Sequence, residues 1–397
     1  MSITLPPPIA ATTSASWSRA AATAGRVLVG VGRSADLPAL LAAGGTRALV
    51  CTGASPDRHA ELLAGLGMPA AVFAVAGEPT VDLVRTAVAA AREHGADAVA
   101  AIGGGSVIDT GKAAAMLLGN GGDPLDYLEV IGAGRAITRP SVPFIAVPTT
   151  AGTGAEVTAN AVLASPAHRV KASLRSRTMI PSAALVDPLL TLSCPPSVTA
   201  ASGIDAVTQC LEPFVSPMAN PLTDAVAREG IRRAAAGLRR AYADGSDLSA
   251  RANMSVASVA GGIALANAKL GAVHGLAGVI GGAVAVPHGV ACAALLAPVI
   301  EANVAALRAG PPGHPALARY AEAAALLTGE PGAAIEDGIA WVRQTLAALA
   351  IPGLGAFGLA PDQAAGIAAQ ALRSSSMRGN PVALSQDDLR AILARAA

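Results

Sequence analysis

Asp205 and Gln209 stand one helical turn apart in Gly203-Ile204-Asp205-Ala206-Val207-Thr208-Gln209, so on a helix both side chains leave from one face. Two histidines follow, each beside a glycine, as Val273-His274-Gly275 and Pro287-His288-Gly289. Both lie in Leu270–Ile300, a stretch without Lys, Arg, Asp or Glu. One carboxylate and two imidazoles can hold a divalent cation and leave a position open for substrate. An isolated histidine on an apolar segment is more often a core residue satisfied by its neighbours. Burying two imidazoles in one uncharged stretch without a task would be costly, so the metal-like reading is preferred.

A second kind of chemistry is written earlier in the chain. Ala101-Ile102-Gly103-Gly104-Gly105-Ser106-Val107-Ile108-Asp109 carries a strand into three glycines, a serine and then a helix. Glycines let the backbone approach an anion, and a helix N-terminus offers free N–H groups and a favourable dipole. A plain strand–turn–helix connection with Ser106 as cap is the simpler alternative, which three consecutive glycines disfavour. Pro148-Thr149-Thr150-Ala151-Gly152-Thr153-Gly154-Ala155-Glu156 is a second Gly/Thr loop after a strand, weak alone and stronger beside the first. Gly30-Val31-Gly32-Arg33-Ser34 lacks the full dinucleotide fingerprint, and a tight turn explains it as well as a cofactor contact does. The loop Cys51-Thr52-Gly53-Ala54-Ser55 has no acid before Asp57, and Arg58 is near, so a 2′-phosphate is not repelled and NADP is permitted beside NAD.

These loops need a scaffold. Candidate strands at Arg26–Gly30, Arg47–Thr52, Ala71–Val75, Ala98–Ile102 and Phe144–Pro148 alternate with helical runs at Ser34–Ala43, Pro56–Leu66 and Thr80–His94. That alternation predicts a parallel sheet with helices on both faces and a ligand beyond its carboxyl edge. After about Asp187 the strand signals fade, and Ser197–Phe214, Pro221–Ala243 and Leu248–Ala268 read as long helices. The expected division is an α/β dinucleotide-binding domain over residues 1–190 and an all-helical metal and substrate domain over residues 191–397.

Composition narrows the partners. A net charge of +1, no long Lys or Arg run and 2% aromatic residues argue against nucleic acid. The start, Met1–Ala20, has neither the basic end nor the apolar core of a signal peptide. Leu270–Ile300 is long enough to span a membrane, but Gly281-Gly282, Pro287 and the two histidines break it, so a buried helix pair is expected and no membrane partner. Cys51, Cys194, Cys210 and Cys292 have no paired spacing; each reads as a small buried hydrophobe in a reducing cytoplasm. His59, His94, His168 and His314 sit in polar or turn-rich contexts and are expected at the surface.

The successive runs GGGSVIDTGK, PTTAGTGAE, GIDAVTQCLEPFVS and AVHGLAG…VPHGV resemble the signatures of the iron-containing (group III) alcohol dehydrogenase family, which includes maleylacetate reductases. They cover residues 26–300 in the family's order. The resemblance implies a Rossmann-like sheet domain followed by an all-helical domain, the dehydroquinate synthase-like fold, and a homodimer. It implies cofactor contacts from Gly103, Gly104, Gly105, Ser106, Asp109, Thr149, Thr150 and Thr153, and from Lys171 after a short hairpin. It matches Asp205, His274 and His288 to three of four metal ligands. Two positions depart from it: Gln209 stands where the second ligand is usually histidine, and Gly278 where a proton-relay histidine is expected.

A glutamine carbonyl is a weaker ligand for iron or zinc than an imidazole. Two readings therefore stay open: a Fe2+ or Zn2+ site on Asp205, His274 and His288 with water or Gln209, or a metal-free site. With metal, the expected reaction is hydride transfer between NAD(P)H and a small alcohol, aldehyde or ketone whose oxygen the metal polarises. Without it, His274, His288 and Gln209 polarise an activated carbonyl, as in a maleylacetate reductase-like enzyme. A non-redox lyase or cyclase on the same fold is the alternative from another class.

Overall fold

The computed structural model describes residues 21–168 and 170–397, so the Met1–Ala20 segment lies outside the described residues. Among the described residues, the first half supplies eight strands: β1 (Val27–Val29), β2 (Ala48–Gly53), β3 (Ala70–Val75), β4 (Ala98–Gly103), β5 (Phe144–Pro148), β6 (Asn160–Ser165), β7 (Val170–Arg175) and β8 (Ala183–Val186). Between them run α1 (Leu37–Ala42), α2 (Ala60–Ala64), α3 (Val81–His94), α4 (Gly105–Asn120) and the short α5 (Pro124–Tyr127). Six strands form one sheet in the order β1-β8-β5-β4-β2-β3, every pair parallel. β4 is Ala-Val-Ala-Ala-Ile-Gly and is buried along its whole length, as a central parallel strand covered on both faces must be. Its neighbour β5 is equally buried, and the register Gly103↔Pro148 ends the two strands side by side. The glycine loop and the threonine loop therefore leave the same edge of the sheet together.

All five expected strands are present. Two elements were not expected from the residues: β8, which inserts between β1 and β5, and the antiparallel hairpin β6–β7 outside the main sheet.

The second half is helical: α6 (Pro196–Val215), α7 (Pro221–Ala243), α8 (Leu248–Ala268), α9 (Ala272–Ala283), α10 (His288–Ala309), α11 (Pro315–Thr328), α12 (Ile335–Ala348), α13 (Ala364–Ala371) and α14 (Gln386–Ala396). Local chemistry sets these boundaries. Proline occupies the first turn of α6 and α7, where no N–H is missed. Asn220 caps α7 through the Leu222 and Thr223 N–H groups, and Asp247 caps α8 through Ala250. The uncharged Leu270–Ile300 stretch becomes α9 and most of α10. α10 is long and apolar enough to cross a membrane, yet 72% of that window is buried inside the protein, where it forms a core helix.

The halves meet at close-packed glycines. A Cβ on Gly154 would lie 2.5 Å from the Cα of Gly262 on α8, and one on Gly152 would lie 2.5 Å from the Ser202 side chain on α6. Any larger residue would push the threonine loop off both helices.

Candidate active site

α4 begins at Gly105 with Gly104 as its N-cap, and no side chain caps it. The Val107 N–H turns back to the Gly104 carbonyl at 3.0 Å, and the N–H groups of Gly105 and Ser106 remain available to an anion. The glycines also make room for the second loop. A Cβ on Gly105 would approach the Thr153 Cγ2 to 2.8 Å, and one on Gly104 would lie 3.2 Å from Thr150 Oγ1. Gly103 accepts the Thr149 N–H through its carbonyl at 3.0 Å. Gly103, Gly104, Gly105, Ser106, Thr149, Thr150 and Thr153 are thereby gathered in one place.

Asp109, expected among the cofactor contacts, is engaged with the neighbouring hairpin. It lies a turn inside α4, and its Oδ2 accepts the Val162 N–H at 2.9 Å, which fastens hairpin β6–β7 to the helix. Lys112, one turn further, is fully buried, and no local pattern marks it. Its Nζ donates to Ala155 O at 2.7 Å, Asn160 O at 2.8 Å and Thr158 Oγ1 at 3.1 Å, holding the end of the threonine loop. Burial outweighs the neighbouring charges here: it lowers Lys112 to about 8 and raises Asp109 to about 6 and Glu156 to about 7.

Lys171 lies within the hairpin, on β7, rather than after it, and pairs with Glu78 at 3.1 Å. Its Nζ would be 3.5 Å from a Cβ on Gly281, so it runs along α9. The Gly30–Ser34 turn is already occupied. The buried Asp187 carboxylate takes the Gly32 N–H at 3.1 Å and both Ser34 donors at 3.0 and 2.7 Å, leaving the tight-turn reading.

The threonine loop touches α6 at Ser202, one turn before Asp205, and that contact brings the two chemistries together. Asp205 is 1% and His274 7% exposed; the His288 side chain is 39% exposed and forms the open side of the site. His274 Nε2 lies 3.2 Å and His288 Nε2 3.9 Å from the same Asp205 oxygen. α10 can bring His288 this close because Gly289 packs directly on Ala201 of α6. The other nitrogen of His274, Nδ1, is 2.6 Å from the buried Glu212, whose second oxygen accepts the Val273 N–H at 2.7 Å. Glu212 is seven residues beyond Asp205 on α6, so two helical turns place both carboxylates on the face that meets α9.

The structure adds a fourth donor. Cys292, one turn after His288 on α10, puts its Sγ 3.6 Å from His288 Nε2. Single donor atoms of Asp205, His274, His288 and Cys292 all lie within 4.8 Å of one another. Cys292 is buried as expected, but it is not an inert hydrophobe. Its signal was the i, i+4 spacing from His288.

Gln209 takes a supporting position. Its Nε2 donates to the outer Asp205 oxygen at 2.9 Å, while its buried Oε1 has no partner. Around Gly278 an added Cβ would meet nothing within 4 Å, so the place of the missing histidine is open space. His168 is exposed and His59, His94 and His314 are half-buried, all away from this cluster.

Electrostatically the cluster calls for positive charge. Burial opposes charging His274, but Cys292, Glu212 and the hydrogen bond to Asp205 prevail and hold it well above the ordinary imidazole value. Cys292 first, then Asp205, raise His288 to about 9 against burial and the charge of His274. Burial raises Asp205, yet the His274 hydrogen bond and the two imidazolium charges bring it below the usual carboxylate range.

This arrangement has known counterparts. A family model for iron-containing alcohol dehydrogenases matches residues 24–188, and one for the C-terminal part of that family matches residues 199–397. The chain belongs to the iron-containing alcohol dehydrogenase family. A 1,3-propanediol dehydrogenase of Klebsiella pneumoniae is 40% identical over 251 residues, 63% of this chain and 64% of that one. Less than two thirds of that relative's length is therefore aligned. A solved 1,3-propanediol oxidoreductase superposes with a TM-score of 0.88 at 31% identity, covering 96% of this chain and all of its own. The sulfoacetaldehyde reductase of Bifidobacterium kashiwanohense, solved with NAD+, gives 0.84 at 27% identity, covering 96% and 99%.

The family implies a nicotinamide cofactor and a metal, and the residues of this chain fit both. The bare helix start between two glycine and threonine loops suits a pyrophosphate. A carboxylate, two imidazoles and a thiol, packed within ligand distance with an orphaned amide oxygen beside them, suit a divalent ion.

Proposed function

We propose that this chain is an NAD(P)-dependent alcohol dehydrogenase that moves hydride between nicotinamide and the oxygen-bearing carbon of a small alcohol, aldehyde or ketone. The observation that carries the reading is the contact of the threonine loop with α6 one turn from Asp205, which sets a nucleotide cradle against a cluster of metal donors. The names of the propanediol dehydrogenases and of the sulfoacetaldehyde reductase support an alcohol or aldehyde substrate.

Asp205, His274 and His288 would hold the divalent ion, which when bound supplies Lewis-acid polarisation of the substrate oxygen. When the ion is bound, Glu212 would keep one proton on His274 Nδ1 and leave the Nε2 lone pair for the ion. Gly104, Gly105 and Ser106 receive the pyrophosphate at the start of α4, and Thr149, Thr150 and Thr153 close the adjacent side. The helical half excludes water from three of the four donors, whereas the exposed edge of His288 leaves water a route in. With Gly278 offering no side chain, the hydroxyl proton leaves through that water.

β2 ends in Cys51-Thr52-Gly53-Ala54-Ser55 without a carboxylate, which supports use of NADP beside NAD. The four cysteines are free, which suits a reducing cytoplasm, and assembly as a homodimer belongs to the same proposal. Initial rates with NAD+ and NADP+ over a panel of short primary alcohols and diols test the reading. Reduction of either cofactor by at least one class supports it; failure to bind either nucleotide overturns it.

A further inference from the structure

The family resemblance leaves a gap in the ligand set at Gln209, and the structure fills that gap from another helix. We infer that Cys292 is the fourth metal ligand of this chain, so that Asp205, His274, His288 and Cys292 form a thiolate-containing site that prefers zinc to iron. The inference rests on the proposed metal-assisted reading and deepens it.

Geometry is the first support. Zinc bonds of about 2.3 Å to sulfur and about 2.0–2.1 Å to nitrogen or oxygen, at tetrahedral angles, place S···N pairs about 3.6 Å apart and N···O pairs about 3.3 Å apart. The Cys292 Sγ to His288 Nε2 separation is 3.6 Å, and His274 Nε2 to Asp205 Oδ1 is 3.2 Å. The longer His288 to Asp205 separation, 3.9 Å, remains within the 4.8 Å that bounds the whole set. Cys292 and His288 lie one turn apart on α10, so the helix presents both donors to one point without any loop rearrangement.

Gln209 is engaged elsewhere. It turns its N–H to Asp205 at 2.9 Å and so orients a ligand instead of acting as one. Its free Oε1 is left to accept a hydroxyl or water donor.

Charge is the second support. Asp205 and a Cys292 thiolate give a divalent ion two anionic donors beside two neutral imidazoles, while the buried Glu212 carboxylate is taken up by the Val273 N–H and His274 Nδ1. A thiolate is also a soft ligand that favours zinc over harder, oxygen-preferring ions. The site should therefore hold zinc firmly and polarise substrate less strongly than an all-nitrogen and oxygen set.

Cobalt titration of the full-length, reduced protein tests this without relying on activity. Wild type should take up one Co2+ and develop the near-ultraviolet sulfur-to-cobalt charge-transfer band. Cys292→Ser should lose the band and weaken Zn2+ affinity by about tenfold or more, at least the loss that follows removal of an outer-shell partner. Gln209→Ala should keep the band. NAD(P)H binding and the unfolding midpoint of each variant report whether the fold survives, and Cys292→Ala provides a second substitution. Co2+ bound by wild type without the band, a band that persists in Cys292→Ser, or no Co2+ uptake at all would each overturn the inference. A thiolate band in a protein that binds no nicotinamide would uphold this ligand set while refuting the dehydrogenase reading.

Discussion

Glu212→Gln is the perturbation that best separates this site from an ordinary buried histidine pair. Glu212 is 4% exposed and serves two donors, Val273 N–H at 2.7 Å and His274 Nδ1 at 2.6 Å. Glutamine keeps the volume but has only one oxygen. If that oxygen stays on Val273, the amide NH2 faces Nδ1, and His274 must move its proton to Nε2 to accept it. Nε2 then donates to Asp205 Oδ1, 3.2 Å away, and has no lone pair for a metal. Undoing this costs about the worth of a hydrogen bond to a charged group, about 1.5–3 kcal/mol, or about 10- to 150-fold in metal affinity. Removal of outer-shell partners elsewhere costs about 10- to 100-fold, which agrees. Competition with a chromophoric chelator measures the Zn2+ affinity, and nicotinamide binding serves as control because the glycine loop is on the other half. An affinity within about threefold of wild type would refute the assignment of Nε2 as the ligating nitrogen.

Three further substitutions probe other parts of the account. Gly105→Ala drives a methyl to within 2.8 Å of Thr153 and should raise the KM for nicotinamide about tenfold, since overpacking costs about 1–3 kcal/mol, with little change in metal content. An unchanged KM would mean the loops open freely and do not grip the cofactor. Gly278→His enters open space one turn from His274, so it should fold with an unaltered melting temperature and raise kcat by restoring a proton relay. A lower kcat with intact metal would remove proton delivery from the account. Glu156 is raised from an ordinary 4.5 to about 7 by burial, so the folded protein keeps a proton that the unfolded chain releases. That stabilisation is complete below about 4.5 and fades as pH rises through about 7, and Glu156→Gln should flatten this part of the denaturation midpoint against pH. Parallel pH profiles for the two proteins would count against a buried, protonated Glu156.

Much of the site could be read from the chain because its residues occur in short runs. Gly103–Ser106 and Thr149–Thr153 each follow a strand, and parallel pairing of β4 with β5 brings them together whatever lies between. Asp205, His274 and His288 stood out as polar residues in apolar surroundings. Cys292 did not, because a cysteine among alanines and leucines looks like packing until the partner helix is placed. Asp187 was hidden for a related reason: its use of Gly32 and Ser34 spans the first and last strands of the half, which no local pattern reports. β8 is only Ala183–Val186, too short to show a period, and its place in the sheet comes from pairing on both sides. β6 does alternate buried and exposed residues, but its partner lies across a tight connection and not in the main sheet. The roles of Asp109 and Lys112 were invisible because both act on the carbonyls and amides of that hairpin and loop.

The central claim is that a nicotinamide cradle and a metal cluster on α6, α9 and α10 work on one substrate. Its most direct test is reduction of NAD+ or NADP+ by a short primary alcohol, followed before chelation, after chelation and after return of Zn2+ or Fe2+, with bound nucleotide measured at each stage. Activity should disappear with the metal and return with it while the nucleotide stays bound throughout. Full activity in the chelated, metal-free protein would contradict the claim.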